Sequence, residues 1–322
     1  MPKVIGETIL QVENLQTELH TSMGVLPVVD GVSFSLREGE TLGIVGESGC
    51  GKSMTALSIL GVVPKPAAHV VGGRVMFNGQ DLRTLSERQM RCIRGGRISM
   101  VLQDPQTSLN PVYTIGSQVT EAIALHGDID SRSLMTRAID ALRQVRVAAP
   151  EQRVKDYPHQ MSGGMKQRVS GAIGISCNPQ VLIADEPTTA LDVTIQSQYL
   201  RLLREIQEQT GLSIIFITHD FGIVASMCDT VAVMYAGRVV ETGPVRAVFD
   251  QPRHPYTRAL LNSVPTMDRQ VKRLYSIPGQ PPALWDRPAG CWYRKRCPFA
   301  EQRCETQYPP EFASKDTSES KH

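Results

Sequence analysis

The sequence predicts an α/β fold, because short apolar runs typical of buried strands alternate with segments that have the spacing of amphipathic helices. Buried strands are expected at residues 41–45, 181–184 and 212–218. Apolar residues recur at helical spacing over 134–145 and 195–206, and Gly211 can end the second of these helices. Parallel strands need long crossover connections, which the helices between them supply.

An antiparallel β subdomain and a helical insert are expected beside this core. Residues 73–77 resemble a short strand that meets the turn signal Asn78-Gly79. Residues 231–241 form a second candidate hairpin, which turns at Ala236-Gly237. Between the two hairpins, we expect a largely helical insert near residues 104–176.

A glycine-rich loop follows the first predicted strand and matches Gly-x-x-x-x-Gly-Lys-Ser, with a helix expected after it. Glycines let backbone N–H groups turn toward phosphate oxygens, Lys52 adds a positive charge, and the Ser53 hydroxyl can bind Mg²⁺. The strand–loop–helix context predicts a P-loop nucleoside triphosphatase core of the RecA-like kind. The expected binding residues of this loop are Gly46, Glu47, Ser48, Gly49, Cys50, Gly51, Lys52, Ser53 and Met54.

Two carboxylates mark the end of a later predicted strand. Residues 181–184 are apolar and lead directly into Asp185 and Glu186. Asp185 can hold a hydrated Mg²⁺, and Glu186 can polarise an attacking water. An acidic strand end that merely caps a loop is the alternative interpretation.

Composition narrows the class of protein. The chain has 322 residues, of which 41% are hydrophobic and 20% charged, with a formal net charge of +2. These values predict one large globular domain with an appendage, and they argue against a nucleic-acid partner. No apolar run reaches the length of about 18 residues that a membrane span needs, and the N-terminus resembles no secretory signal. The seven cysteines are an odd count, which argues against a disulfide framework.

A second anion-binding turn is predicted at Ser162-Gly163-Gly164, which precedes an expected helix. One triphosphate does not need two such cradles from a single chain. The economical arrangement is a head-to-tail dimer, in which this turn of one subunit closes over the nucleotide held by Lys52 of the other.

Taken together, residues 10–290 resemble the ATP-binding subunits of ABC transporters. In this resemblance Gln103 matches the glutamine loop that links Mg²⁺ to the membrane subunit, and Ser162-Gly163-Gly164 matches the family signature, with Met161 and Met165 in place of the commoner Leu and Gln. Asp192, in Ala190-Leu191-Asp192, corresponds to the loop at the dimer seam, and His219 to the switch histidine at the γ-phosphate. The resemblance implies ATP hydrolysis with ATP and Mg²⁺, the metal being held by Ser53, Gln103 and Asp185. The family usually stacks an aromatic residue on adenine, whereas Leu19 or His20 occupies that region here.

The C-terminal segment resembles the corresponding segment of one subfamily of these ATP-binding subunits. Residues 254–261 are similar to a segment of oligopeptide, dipeptide and nickel importer ATPases. Cys291, Cys297 and Cys304 then follow at a spacing suited to a metal or iron–sulfur centre. Similar importers carry a four-cysteine [4Fe-4S] site there, but this chain has only three of the four. A partner-supplied ligand, a labile cluster, a zinc site completed by a histidine and no metal at all remain open.

These observations predict an ATP-binding domain at 1–250, a C-terminal extension at 251–312 and a disordered tail at 313–322. The leading hypothesis is the ATPase of a peptide importer at the cytoplasmic face of the inner membrane. It implies two transmembrane permease subunits, a second ATP-binding subunit, identical or not, and an extracytoplasmic substrate-binding protein. A nickel or metal-chelate importer, a small-molecule kinase and a soluble ABC ATPase are the alternatives.

Overall fold

The computed structural model describes residues 5–126, 131–189, 191–264 and 275–310, so the predicted tail at 313–322 lies outside the described residues. Within these ranges the strands are β1 (Thr8–Thr21), β2 (Gly24–Arg37), β3 (Thr41–Val45), β4 (Ala68–Phe77), β5 (Gln80–Asp81), β6 (Ile98–Val101), β7 (Val181–Asp185), β8 (Ser213–Thr218), β9 (Thr230–Tyr235) and β10 (Arg238–Pro244). The helices are α1 (Lys52–Leu60), α2 (Glu87–Ile93), α3 (Pro105–Ser108), α4 (Ile115–His126), α5 (Ser131–Gln144), α6 (Pro150–Arg153), α7 (Gly163–Ile175), α8 (Val193–Thr210), α9 (Phe221–Met227), α10 (Val245–Asp250) and α11 (Pro255–Asn262). Of the helices in these ranges, none combines the length and the apolar character that crossing a bilayer requires.

A six-stranded sheet forms the centre of the protein, in the order β10-β9-β3-β8-β7-β6. Its strands are parallel except for the antiparallel pair of β9 and β10. Every residue of β3, β7 and β8 is buried, as expected for parallel strands covered on both faces. This sheet confirms the predicted α/β core, and it brings the carboxyl ends of β3 and β7 to one edge.

A second, antiparallel sheet has the order β2-β1-β4-β5 and confirms the predicted β subdomain. Both predicted hairpin turns are present. Asn78 and Gly79 have φ values of +47° and +77°, and Ala236 and Gly237 have +49° and +95°. Two successive left-handed residues are what a type I′ turn requires, and this explains why Asn-Gly is a strong hairpin signal.

Helices α3 to α7 all lie between residues 104 and 176, the region predicted to be a helical insert. Apolar side chains of α4, α5 and α7 belong to one buried cluster that continues into α8. The predicted amphipathic helix corresponds to α5, and the second predicted helix to α8, which Gly211 ends with φ of +71°. The boundaries of the insert stay a prediction.

The C-terminal extension, meaning the described residues at 251–264 and 275–310, packs against the central sheet. Its Tyr256, Trp292 and Tyr293 share a buried cluster with Val231 and Tyr235 of β9. After α11 its described residues form only two short 3₁₀ turns, so it is rich in loops. Packing on the sheet brings these loops close to the P-loop.

Candidate nucleotide site

The P-loop runs from the end of β3 to the start of α1, and its shape depends on glycine. Gly49 and Gly51 have φ values of +77° and +101°, in the left-handed region. A Cβ atom on Gly51 would lie only 2.8 Å from the carbonyl oxygen of Val28. A side chain at this position would therefore displace the loop. The first N–H groups of α1 have no intrahelical partners and are available to an anion.

Lys52 folds back into this loop and is only 5% exposed. Its Nζ donates to the carbonyl oxygens of Gly46 at 2.9 Å and Glu47 at 3.2 Å. Nζ also lies 3.9 Å from Oε1 of Glu186. A buried ammonium group needs compensating negative charge, which the phosphates of a nucleotide would supply.

Asp185 ends β7 with a buried carboxylate that fits a cation. Its Oδ1 has no hydrogen-bond partner among the described residues. Burial raises the pKa of Asp185, although the nearby Ser53 hydroxyl opposes that shift. An unpartnered buried carboxylate oxygen is costly. Because Mg²⁺ favours oxygen ligands of this kind, Asp185 and Ser53 fit the predicted metal.

Glu186 is the point where the other candidate residues converge. Its Oε2 accepts hydrogen bonds from Gln103 Nε2 at 3.0 Å and Thr189 Oγ1 at 3.1 Å, and lies 3.3 Å from His219 Nδ1. The side chain is 11% exposed and its backbone has φ of +43°. A non-glycine residue in the left-handed region is strained, and such strain is common at functional sites. Gln103, expected to bind Mg²⁺, contacts the carboxylate of Glu186 here.

The Ser162 turn begins α7. Ser162 Oγ accepts a hydrogen bond from the N–H of Met165 at 3.4 Å, so Ser162 is the N-cap. A Cβ on Gly163 would meet nothing within 4 Å, whereas one on Gly164 would lie 2.9 Å from Ile195. Within the described part of the chain, no hydrogen bond or ion pair joins these three residues to the P-loop.

Asp192 caps α8, because its Oδ1 accepts a hydrogen bond from the N–H of Ile195 at 3.0 Å. The next residue, Val193, is 82% exposed, and Ala190 lies outside the described residues. Asp192 thus orients the loop that is expected at a dimer seam without contacting Glu186.

The region expected to receive adenine contains two histidines. The ring of His20 lies 4.6 Å from that of His69, centroid to centroid, at an interplanar angle of 54°. The imidazole of His69 makes a hydrogen bond to the carbonyl oxygen of Pro66. Both imidazoles offer a planar surface, although neither is the aromatic residue that the family usually places there.

The predicted iron–sulfur or metal centre is not supported by the structure. In the ranges that the structure describes, no group of three or more His, Cys, Asp or Glu side chains could hold a metal ion. Burial raises the pKa of the Cys291 and Cys297 thiols. Cys291 belongs to the buried cluster that joins the extension to the sheet, and the partly buried Cys297 and Cys304 pack against it.

Several contacts of the site are not signalled by any motif. Thr189, three residues after Glu186, donates to its carboxylate. Arg296 and Tyr256 of the C-terminal extension contact Glu47 in the P-loop. The position of Thr189, in the loop directly after the acidic pair, is the sequence signal for this contact. Nothing in the sequence links Glu47 to an arginine 249 residues later.

The fold and this set of residues define a P-loop ATPase of the ABC cassette class. The ABC transporter family model matches residues 29–189, and the model of the oligopeptide/dipeptide transporter C-terminal region matches residues 240–304. The chain is 51% identical to a probable peptide ABC transporter ATP-binding protein of Sinorhizobium fredii, over 94% of this chain and 91% of the relative. It is 48% identical to the dipeptide transport ATP-binding protein DppD of Bacillus subtilis, over 97% and 93%, and 47% identical to DppD of Escherichia coli, over 94% and 92%.

Solved structures agree with this class. The dimeric, post-hydrolysis ABC cassette MJ0796 bound to ADP and phosphate superposes with a TM-score of 0.66 at 25% identity, over 74% of this chain and 99% of that one. CbiO1 from Clostridium perfringens, part of an ABC transporter complex, gives 0.65 at 31% identity, over 76% and 92%. The chain therefore belongs to the ATP-binding proteins of the ABC transporter family. This membership confirms the predicted ATPase activity coupled to transport.

Proposed function

We propose that this chain is the ATP-hydrolysing subunit of an importer for dipeptides or oligopeptides. The observation that carries the proposal is the convergence of Gln103, Thr189, His219 and Lys52 on Glu186, beside the P-loop. The match of residues 240–304 to the transporter C-terminal region, together with the names of the relatives, supports peptide as the cargo.

Each residue has a distinct role in this proposal. The P-loop N–H groups and Lys52 bind the phosphates. Ser53, Asp185 and Gln103 would hold Mg²⁺, which shields phosphate charge when bound. Glu186 orients and polarises the attacking water, and His219 contacts the γ-phosphate.

A second ATP-binding subunit completes the site in this proposal. The Ser162 turn presents N–H groups at the N-terminus of α7 and, among the described residues, makes no hydrogen bond to its own P-loop. Such a turn fits the nucleotide of a neighbouring subunit. The dimeric arrangement of the MJ0796 cassette supports this assembly.

The remaining partners follow from the transporter hypothesis. Two transmembrane permease subunits and an extracytoplasmic substrate-binding protein would complete the importer, with this chain bound peripherally at the cytoplasmic face of the membrane. Nickel or a metal chelate is the second candidate cargo, because the C-terminal segment also resembles nickel importers.

The experiment is transport by the assembled complex. Copurified complex would be reconstituted in vesicles with its binding protein, and ATP-dependent uptake of a labelled dipeptide, a labelled pentapeptide and ⁶³Ni²⁺ would be compared. We expect uptake of a peptide that stops with Glu186→Gln and continues with Glu208→Gln, an exposed carboxylate on α8. Uptake of nickel alone would favour the second candidate, and failure to copurify with any membrane protein would contradict the importer.

A further inference from the structure

Glu47 is part of the P-loop, yet its side chain contacts the C-terminal extension. Its two carboxylate oxygens accept hydrogen bonds from Arg296, 2.7 Å from Nη1 to Oε2 and 2.8 Å from Nη2 to Oε1. The planar guanidinium and carboxylate groups thus meet in a bidentate ion pair, the strongest geometry for this kind of contact. Arg296 ends the short 3₁₀ turn Arg294–Arg296 of the extension.

The remaining donors of Arg296 fix its orientation. Nε donates to the carbonyl oxygen of Pro278 at 3.0 Å, and Nη1 also reaches the Tyr235 hydroxyl at 3.4 Å. The side chain is only 3% exposed. Burial by itself lowers the pKa of Arg296, but the hydrogen bonds to Glu47 and Tyr235 outweigh it and raise that pKa. Arg296 therefore stays charged and held in place.

The backbone of Glu47 is held as well. Its N–H donates to the hydroxyl of Tyr256, a fully buried residue of α11, at 3.0 Å. Its carbonyl oxygen accepts the bond from Lys52 Nζ at 3.2 Å. One residue of the P-loop thus connects the extension to the lysine that binds phosphate.

We propose that the C-terminal extension forms part of the nucleotide site, with Arg296 as a positioning residue that holds the P-loop through Glu47 and so sets nucleotide affinity. The proposal rests on the function above, since it concerns the nucleotide that Lys52 binds. A loop released from Arg296 populates its binding-competent shape for a smaller fraction of the time. The apparent dissociation constant rises by the inverse of that fraction.

Arg238 offers a control that distinguishes a positioning role of Arg296 from a general role in docking the extension. It lies at the interface between the central sheet and the extension. Arg238 donates a hydrogen bond to Asp30 at 3.0 Å and stacks against Trp292 and Tyr308, with its Cζ 4.4 and 4.1 Å from the ring centroids. Arg238 makes no hydrogen bond to a P-loop residue among those described. The substitution Arg238→Gln therefore weakens the docking of the extension without releasing Glu47.

The test is titration of the full-length chain with a fluorescent ATP analogue and Mg²⁺. For Arg296→Gln we expect the dissociation constant to rise about tenfold, since small misplacements of binding groups carry large penalties. Arg296→Lys, which keeps one charged contact, recovers part of the affinity. The double variant Glu47→Gln with Arg296→Gln should have a dissociation constant close to that of either single variant, because the two residues act as one unit. Arg238→Gln stays within about twofold of the wild type, because among the described residues Arg238 shares none of the hydrogen-bond partners of Arg296.

Two results overturn the proposal: wild-type affinity in folded Arg296→Gln, or an equal loss of affinity in Arg238→Gln. A second measurement needs no variant. Because coupling is reciprocal, the nucleotide must slow hydrogen exchange of amides at residues 291–304 in the wild-type protein, and an absence of this protection contradicts the proposal. A wild-type chain that binds no nucleotide would instead refute the proposed function, so the two failures are distinguishable.

Discussion

The amide of Gln103 donates a hydrogen bond to the carboxylate of Glu186 over 3.0 Å, and this pair links β6 to β7 across the candidate site. Thr189 and His219 approach the same oxygen. The carboxylate proposed to polarise water is therefore oriented by three groups of its own chain.

Glu186→Gln is expected to keep ATP binding while hydrolysis falls about 100-fold or more, because the amide has the same shape but cannot accept the proton of water. Turnover and the dissociation constant for ATP would both be measured, with Glu208→Gln as the control. Hydrolysis near the wild-type rate would refute the role of Glu186.

Lys52→Ala is expected to weaken ATP binding about 10- to 100-fold, the usual effect of losing a charge-assisted hydrogen bond to phosphate. The matched control is Lys155→Ala, which removes an exposed lysine. Circular dichroism of both variants establishes that the fold is intact. Unchanged affinity in Lys52→Ala would contradict the assignment of the phosphate site.

The motifs that could be predicted are those whose geometry is fixed locally. The spacing Gly-x-x-x-x-Gly-Lys-Ser between a strand and a helix is specific for a P-loop. An acidic pair at the end of β7 lies at the same edge of the sheet as the loop that follows β3, because both strands belong to one parallel sheet. The pair of Arg296 and Glu47 depends on how the extension packs, and no spacing encodes that. Cysteine spacing likewise states only that thiols are near in sequence, and it does not encode the packing of Cys291, Cys297 and Cys304 at the apolar cluster.

Asp185→Asn is expected to stabilise the nucleotide-free protein while weakening the binding of Mg²⁺. The charge of Asp185 is buried with one unpartnered oxygen, so its removal should stabilise the nucleotide-free protein by about 1 kcal/mol. Burial raises the pKa of Asp185 in the folded state, so the destabilisation is fully present above that pKa and disappears as pH falls below it. Urea unfolding at pH 7 measures the gain, with exposed Asp250→Asn as the control.

The same variant should lose the extra thermal stability that Mg²⁺ adds in the presence of ATP. Mg²⁺ stabilises only the state of the protein that binds it, and Asp185→Asn lacks the carboxylate proposed to hold Mg²⁺. Equal Mg²⁺-dependent shifts in the melting temperature of wild type and Asp185→Asn would argue against this metal site.

The composite site predicts a contact between subunits. A photo-crosslinking residue placed at Met165, next to the Ser162 turn, should react across the dimer when Glu186→Gln traps ATP in the purified transporter. We expect a product with the mass of two ATP-binding subunits, whose crosslinked peptide contains the P-loop of the second subunit, identical or not. The same residue at Met135 of α5 is the control. A crosslink confined to one chain would contradict the head-to-tail dimer.

His254 should make stability depend on pH. Burial lowers the pKa of His254 to about 4, and its Nδ1 accepts the hydrogen bond from the N–H of Tyr256 that begins α11. The carboxylate of Glu241, which accepts the backbone N–H of His254, opposes this shift. The unfolded chain takes up a proton below pH 6.5 while the folded chain resists it to about pH 4. The contribution of His254 is therefore complete above pH 6.5 and is lost as pH falls toward 4.

Between pH 7.5 and 5 this loss amounts to about 2 kcal/mol of the free energy of unfolding. Other groups also titrate in this range, so the pH-dependent loss in free energy of unfolding is compared between wild type and His254→Asn. Asparagine keeps an N-cap acceptor but cannot take up the proton. Denaturant unfolding at the two pH values should give a smaller loss for His254→Asn, whereas exposed His159→Asn should behave as wild type. The same pH dependence in all three proteins would mean that His254 takes up its proton equally in the folded and unfolded chain, and it would contradict the lowered pKa of His254.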